Sequence, residues 1–300
     1  GGGSSGIDLL QCHLERATRE DLKPRASRWA SKLLSLLKQA VGEEGDQSAA
    51  LRYAGCLVQL LQRVHLFSTS LPKELLATVI PKLVPVLLQD PRLRSREALV
   101  LLTSLVSTLR SSFKPYYSAT MQLAFGILME EGTPPRTEAA AIELLIAGCD
   151  LIFAPTGMLD LMTQVMRLLK STTEEAGIAA KTADEDSKVE SRLKFELRPY
   201  PDSRKGYMKE FFLEGRLRKL LRLLSSAVVR SKQLPITELV AALVSLLRLD
   251  DGSMAHGLSS PLGILAIRNT VLSESLVLLH SLVSATRYQC LPYLPRLISL

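Results

Sequence analysis

Apolar residues recur along this chain at helical rather than alternating spacing. Between Gln47 and Val64, Leu51, Ala54, Leu57, Val58 and Leu61 fall on one stripe, which predicts an amphipathic helix with a single buried face. The most complete unit is VIPKLVPVLLQDPRLRSREALVLLTSLVSTL, from Val79 to Leu109. Two apolar helical runs flank a polar turn holding Asp90, Arg92, Arg94 and Arg96, and the first run carries prolines near its start. A hairpin of this kind cannot bury its apolar face alone, so neighbouring hairpins must stack on it. The layout is that of a HEAT-type hairpin. The expected fold class is all-α, a HEAT/armadillo-like α-solenoid of stacked helical hairpins, with an irregular helical bundle as the alternative.

The same pattern places helices along the rest of the chain. One is expected from about Ile7 to Glu20, and a second, opened by Pro24, to about Ala40, where GEEGD ends it. Pro72 starts another element. A break is expected before Pro81, then a helix to Gln89 kinked at Pro85, because each proline removes a backbone donor. Further helices are expected at about 94–110, 115–130, 135–152 and 157–170, with FKPYY at Phe113–Tyr117 as a tight corner. From Ser171 the apolar period disappears. Up to Glu190 there are six acidic residues against Lys181 and Lys188, which predicts a solvated loop, and SRLKFELRPYPDSRKG beyond it reads as extended. Helical periodicity resumes at about 207–231, 235–249 and 260–286, and from 290 onward, where CLPYLPRLISL loosely echoes the proline-spaced run at 79–88. The expected organisation is an expression linker at 1–6, helical repeats at 7–170, an acidic then basic loop at 171–206, and repeats of the same solenoid at 207–300.

Composition narrows the function classes. The chain has 300 residues, 47% of them hydrophobic and 5% aromatic, enough for a sizeable leucine-rich helical core. Glu143 and Asp150 interrupt AAAIELLIAGCDLIFA, and no run of about 18 uncharged apolar residues occurs, so no membrane partner is expected. Cys12, Cys56, Cys149 and Cys290 are far apart in apolar helical contexts, as expected of reduced, buried thiols in the cytosol or nucleus. Phosphate-loop, dinucleotide, zincin and nucleophile-elbow motifs are missing from the sequence. His13, His65, His256 and His280 are scattered, and Glu74, Asp160 and Glu238 sit at helix starts, where the helix dipole accounts for them. The reading is a noncatalytic protein with no cofactor, no metal and no catalytic residue.

Two features invite a binding role. From Arg204 to Lys232 nine basic residues stand against Glu210 and Glu214, a surplus equal to the net charge of +7 of the whole chain. Arg216, Arg218, Lys219 and Arg222 are the candidate contacts to RNA or to an acidic partner, with Tyr207, Phe211 and Phe212 available to stack on bases. The plainer reading is a solvated basic face with the aromatics turned inward. LxxLL sequences occur at 33–37, 57–61, 217–221, 220–224 and 243–247. Such motifs enter nuclear-receptor grooves, yet leucine-rich amphipathic helices produce them by default, and core packing is the reading preferred here. Tyr116, Tyr117, Tyr288 and Tyr293, near corners, are candidate contacts to protein partners.

In order along the chain, SRWASKLLSLLKQ, YAGCLVQLLQRVHLFSTSLPKELLATVIPKLVPVLLQD, EALVLLTSLVSTLRSSFKPYYSATM, LPITELVAALVSLL and ESLVLLHSLVSATRYQCLPYLPRLISL resemble successive helices of the Rix-one family, over roughly Trp29–Leu300. The resemblance is to that family's amino-terminal helical-repeat domain, without its long proline- and acid-rich tail. It implies a noncatalytic scaffold subunit of a nuclear complex that matures the large ribosomal subunit precursor, acting in internal spacer RNA processing. The partners implied are a WD-repeat propeller subunit, a second helical-repeat subunit, the precursor particle, the AAA-type remodelling ATPase and a second copy of the chain as a homodimer. The location implied is nucleolus and nucleoplasm. The alternatives are an importin- or adaptor-like peptide-binding solenoid and a nuclear-receptor coactivator scaffold.

Overall fold

The computed structural model describes residues 3–22, 24–41, 46–67, 71–89, 94–152, 156–175, 195–197, 207–247, 260–293 and 295. Every element among them is helical, and they contain no strand. They fall into two compact units. Unit 1 is Gly1–Ile127 with Pro134–Ile152, and unit 2 is Leu128–Thr133 with Phe153–Leu300.

Unit 1 holds α1 (Gly3–Arg16), α2 (Arg19–Leu22), α3 (Ala26–Val41), α4 (Gln47–Phe67), α5 (Leu71–Gln89), α6 (Arg96–Thr108), α7 (Arg110–Phe113) and α9 (Pro135–Ile152), with most of α8 (Tyr117–Met129). Short polar side chains start these helices. The Asp46 carboxylate accepts from the backbone N–H groups of Ser48 and Ala49 at α4, and Ser95 Oγ accepts from Ala98 N–H at α6. At α2, Thr18 and Asp21 cap each other reciprocally. Helix α4 packs against α1, α3, α5 and α6, and α6 packs against α9. The stripe predicted on α4 is buried at Ala54, Leu57, Val58 and Leu61, with Leu51 half-buried. Each fully buried leucine contributes roughly 2 to 3 kcal/mol of transfer free energy.

Several boundaries differ from expectation: α1 begins at Gly3, inside the segment expected to be a linker, and ends at Arg16 rather than near Glu20. Helix α5 runs unbroken through Pro81 and Pro85. The carbonyls that lose their donors belong to Ala77, which is exposed, and to Pro81, also exposed, where water can satisfy them. Meanwhile Val79, Ile80, Leu83, Val84 and Leu87 are buried and hold the segment helical. The expected loop start at Ser171 is also displaced, because α10 (Gly157–Glu175) continues past it. The hydroxyls of Thr172 and Thr173 donate to the carbonyls of Leu168 and Lys170. The corner at Phe113–Tyr117 is a 3-10 turn over Lys114–Tyr116 between α7 and α8.

Unit 2 holds α10, α11 (Tyr207–Arg230), α12 (Ile236–Leu247), α13 (Pro261–Thr286) and a 3-10 segment over Arg287–Tyr293. That segment replaces the start of the helix expected from 290, and the chain leaves α13 through Arg287 at φ 49°. Helix α11 packs against α10 and α13, and α12 packs against α13. Phe195 is buried, and its carbonyl accepts from the Gln164 amide of α10. The turn of Asp90 and Arg92, residues 176–194 and 198–206 of the expected loop, and His256 lie outside the described residues.

Candidate functional site

The surface that matters most is built on α11 and α13. Glu210, Glu214, Arg218 and Arg222 are spaced four apart on α11 and form one stripe. Three of them meet α13 directly. A Glu210 carboxylate oxygen accepts from the Ser260 N–H at the start of α13, Glu214 accepts from the Thr270 hydroxyl at 2.7 Å, and the Arg222 Nε donates to Glu274 at 2.8 Å. Residue numbers rise together on the two helices, so α11 and α13 run side by side in the same direction. Arg218 completes the stripe through a 3.8 Å ion pair with Glu214.

The other two basic candidates point into unit 2. Arg216 is 4% exposed, lies 3.9 Å over the Phe212 ring and pairs with Glu175 at 3.4 Å. Burial pulls its guanidinium below the ordinary value while Glu175 and Glu131 oppose the shift, and it stays a cation. Lys219 is 5% exposed and donates to the Glu130 carbonyl at 2.6 Å. The plainer expectation, solvated cations with aromatics turned inward, is thus reversed at Arg216 and Lys219, which are buried, and at Phe211, which is exposed. Glu175, Glu274 and the Glu130 carbonyl, all distant in sequence, are the partners of Arg216, Arg222 and Lys219, and a local count along one segment could not reveal them. Arg204, Lys205 and the Tyr207 side chain lie outside the described residues.

The four tyrosines separate in the same way. Tyr117 is buried, with its hydroxyl 3.6 Å from Cys149 Sγ, and Tyr116 is half-buried beside the Phe113 ring. Tyr293 is half-buried, with its hydroxyl 2.9 Å from that of Thr237, while Tyr288 is 82% exposed. The LxxLL leucines are core: Leu33, Leu37, Leu57, Leu60, Leu61, Leu217, Leu220, Leu221, Leu223, Leu224, Leu243 and Leu246 are buried, and Leu36 and Leu247 are half-buried.

Sequence reasoning missed the outer side of α13. Gly263, Ile267, Val271, Ser275, Leu278 and Leu282 are buried, yet the opposite side carries Leu262 (75% exposed), Leu265, Leu276 (57%) and Val283, with Leu272 and Leu279 half-buried. Together with exposed Asn269, these residues alternate three and four apart from Leu262 to Val283, the a/d spacing of a two-helix seam. By length and composition the stretch Pro261–Tyr293 could cross a membrane, and 28% of its most apolar 18-residue window is buried. Arg268 and Glu274 interrupt it, and Glu274 is held by Arg222.

Among the described residues no group of three or more His, Cys, Asp or Glu could hold a metal ion. His13 stacks edge-on against Trp29, and Asp160 and Glu238 lie in the first turns of α10 and α12. Cys56, Cys149 and Cys290 are buried, whereas Cys12 is exposed on the outer side of α1, contrary to the expectation of four buried thiols. Compared with known proteins, the chain matches no family model and no curated protein.

Proposed function

We propose that the chain is a noncatalytic α-solenoid scaffold that holds assembly factors of the large ribosomal subunit precursor together. The outer side of α13 carries the scaffold reading. An apolar stripe about three heptads long, uncovered among the described residues, demands a lasting cover, since soluble proteins rarely leave so large a patch in water. A second copy of the chain or a helical-repeat partner meets that demand, and the Leu/Asn/Leu/Val order at one set of seam positions suits helix pairing. The parallel course of α11 and α13, with α12 between them in sequence, favours stacked repeats over an irregular bundle. Assignment to the ribosomal complex, with its propeller subunit, second helical-repeat subunit, remodelling ATPase and nucleolar location, comes from the sequence resemblance. The mechanism is positioning, which raises the effective concentration of bound factors.

The importin- or adaptor-like alternative expects regularly spaced polar and aromatic side chains along one exposed face. The burial of Tyr117 and the half-burial of Tyr116 and Tyr293 disfavour it, and the buried LxxLL leucines disfavour the coactivator reading. Direct RNA contact through α11 is disfavoured because Arg216 and Lys219 are buried. The test is sedimentation of the tagged full-length protein from nuclear extract, with and without ribonuclease, for the wild type and for L265E/L276E. Co-migration with large-subunit precursors, and a propeller subunit that stays bound after ribonuclease, support the reading. The double variant should lose its apolar partner while keeping its helix content. Wild-type sedimentation as a small species carrying transport cargo would overturn it.

A further inference from the structure

Unit 1 contains a groove between α3 and α5 that plays no part in the scaffold reading. It encloses about 440 Å³. One wall presents Ser27, Ser31 and Ser35, spaced four apart on α3, and then Lys38. The other presents Thr78 and Lys82, spaced four apart on α5. The floor is apolar and buried, made by Ala30, Leu34, Leu75 and Val79. Among the described residues the charged side chains lining the groove are Lys38 and Lys82, and both are exposed. Nothing on α3 offsets them, since Ala26–Val41 carries Arg28, Lys32 and Lys38 and no acidic residue.

The geometry points to a docking groove for an extended acidic peptide of a partner protein. From Ser27 to Lys38 the wall rises roughly 16 Å, the length of about five extended residues. Peptide backbone groups pair with the row of serine hydroxyls on α3, which both donate and accept, while carboxylates take the lysines and small apolar side chains settle on the floor. Charge complementarity selects the occupant. A single-stranded RNA would want aromatic platforms and a longer file of cations, and no aromatic side chain among the described residues lines this groove. The site is separate from the α13 seam, so the two readings stand or fall independently.

The test uses the full chain and a fluorescein-labelled peptide of alternating Glu and Ala, with a Gln/Ala peptide and a uridine oligoribonucleotide as comparisons, read by fluorescence anisotropy. The Glu peptide should bind, weaken with salt, and bind about tenfold more tightly than the Gln peptide. K38E/K82E should lose about tenfold, and S31L, which keeps every charge but fills the groove, should lose a similar amount. K170E/K232E, the same charge change on exposed residues of unit 2, should bind as wild type. K38Q/K82Q serves where the charge reversal disturbs folding, and should weaken binding in the same direction. Equal binding of the Glu and Gln peptides, an equal loss in K170E/K232E, or an oligoribonucleotide that binds more tightly through Lys38 and Lys82 would each overturn the proposal.

Discussion

The closeness of α11 and α13 can be tested at one atom. A Cβ built on Gly263 would stand 2.5 Å from Cβ and 2.6 Å from Cγ of Glu210, distances that real Cβ atoms do not adopt. Glu210 is 1% exposed and holds the Ser260 N–H, so its stem cannot swing away, and relief requires the two helices to separate by about 1 Å. Strain of this kind costs about 1 to 3 kcal/mol. Replacing a helical glycine by alanine returns up to about 1 kcal/mol of backbone entropy, and less in a first turn. The strain therefore wins, and G263A should destabilise unit 2 by about 1 to 2 kcal/mol. Gly215, in the middle of α11, has nothing within 4 Å of its virtual Cβ, so G215A should be neutral or stabilising by up to about 1 kcal/mol. The assay is urea unfolding followed by far-ultraviolet circular dichroism. The single tryptophan, Trp29, lies in unit 1, and its fluorescence transition provides an internal control. If G263A proves as stable as G215A, the close approach of α11 to α13 is wrong, and the register argued from their hydrogen bonds fails with it.

Other perturbations address the remaining contacts. R222A removes the partner of the buried Glu274 and should cost about 1 to 2 kcal/mol, towards the low end because Arg222 is half exposed; a double-mutant cycle with E274A should show coupling of that size. The Thr18 hydroxyl and N–H hold the Asp21 carboxylate below the usual carboxylate range. Its folded pKa is depressed, so its stabilising contribution is present above the unfolded value near 3.9 and is lost as pH falls through the lower folded value. Carboxyl-carbon NMR titration should show this, with T18A raising the Asp21 midpoint. Cys12 should react first with a thiol reagent and C12S should abolish the fast phase, since burial pushes the Cys56 thiol up and shields it; equal rates at all four thiols would contradict the burial pattern.

Helix positions were largely legible because each helix needs one apolar face, and the period of 3.6 survives in any window that contains it. Helices α4, α9 and α12 fall within about three residues of expectation at each end for that reason. Pro81 and Pro85 misled because a proline acts locally while burial acts on the whole helix, and the buried aliphatics of α5, from Leu75 to Leu87, outweigh two missing donors whose carbonyls face water. The end of α10 was hidden because Thr172 and Thr173 read as loop residues until their hydroxyls are seen bonding back to the preceding turn.

The candidate surface was less legible, and α11 and α13 show why in opposite ways. On α11 the basic run looked like a surface because charge normally reports exposure. Glu175, Glu274 and the Glu130 carbonyl change that, and each becomes a neighbour only through folding. On α13 the apolar run looked like core because leucine normally reports burial. One helix has two sides, however, and only the side that carries Gly263, Ile267, Val271 and Leu278 is buried. A soluble helix that is apolar all round needs a neighbour on each side. Among the described residues α13 has α11 and α12 as its neighbours, while Leu262, Leu265, Leu276 and Val283 remain exposed. Their three-four spacing was present in the sequence throughout, but it is merged there with the buried set at the same average period. Only the structure separates the two sets, and the exposed one marks where a scaffold would receive its partner.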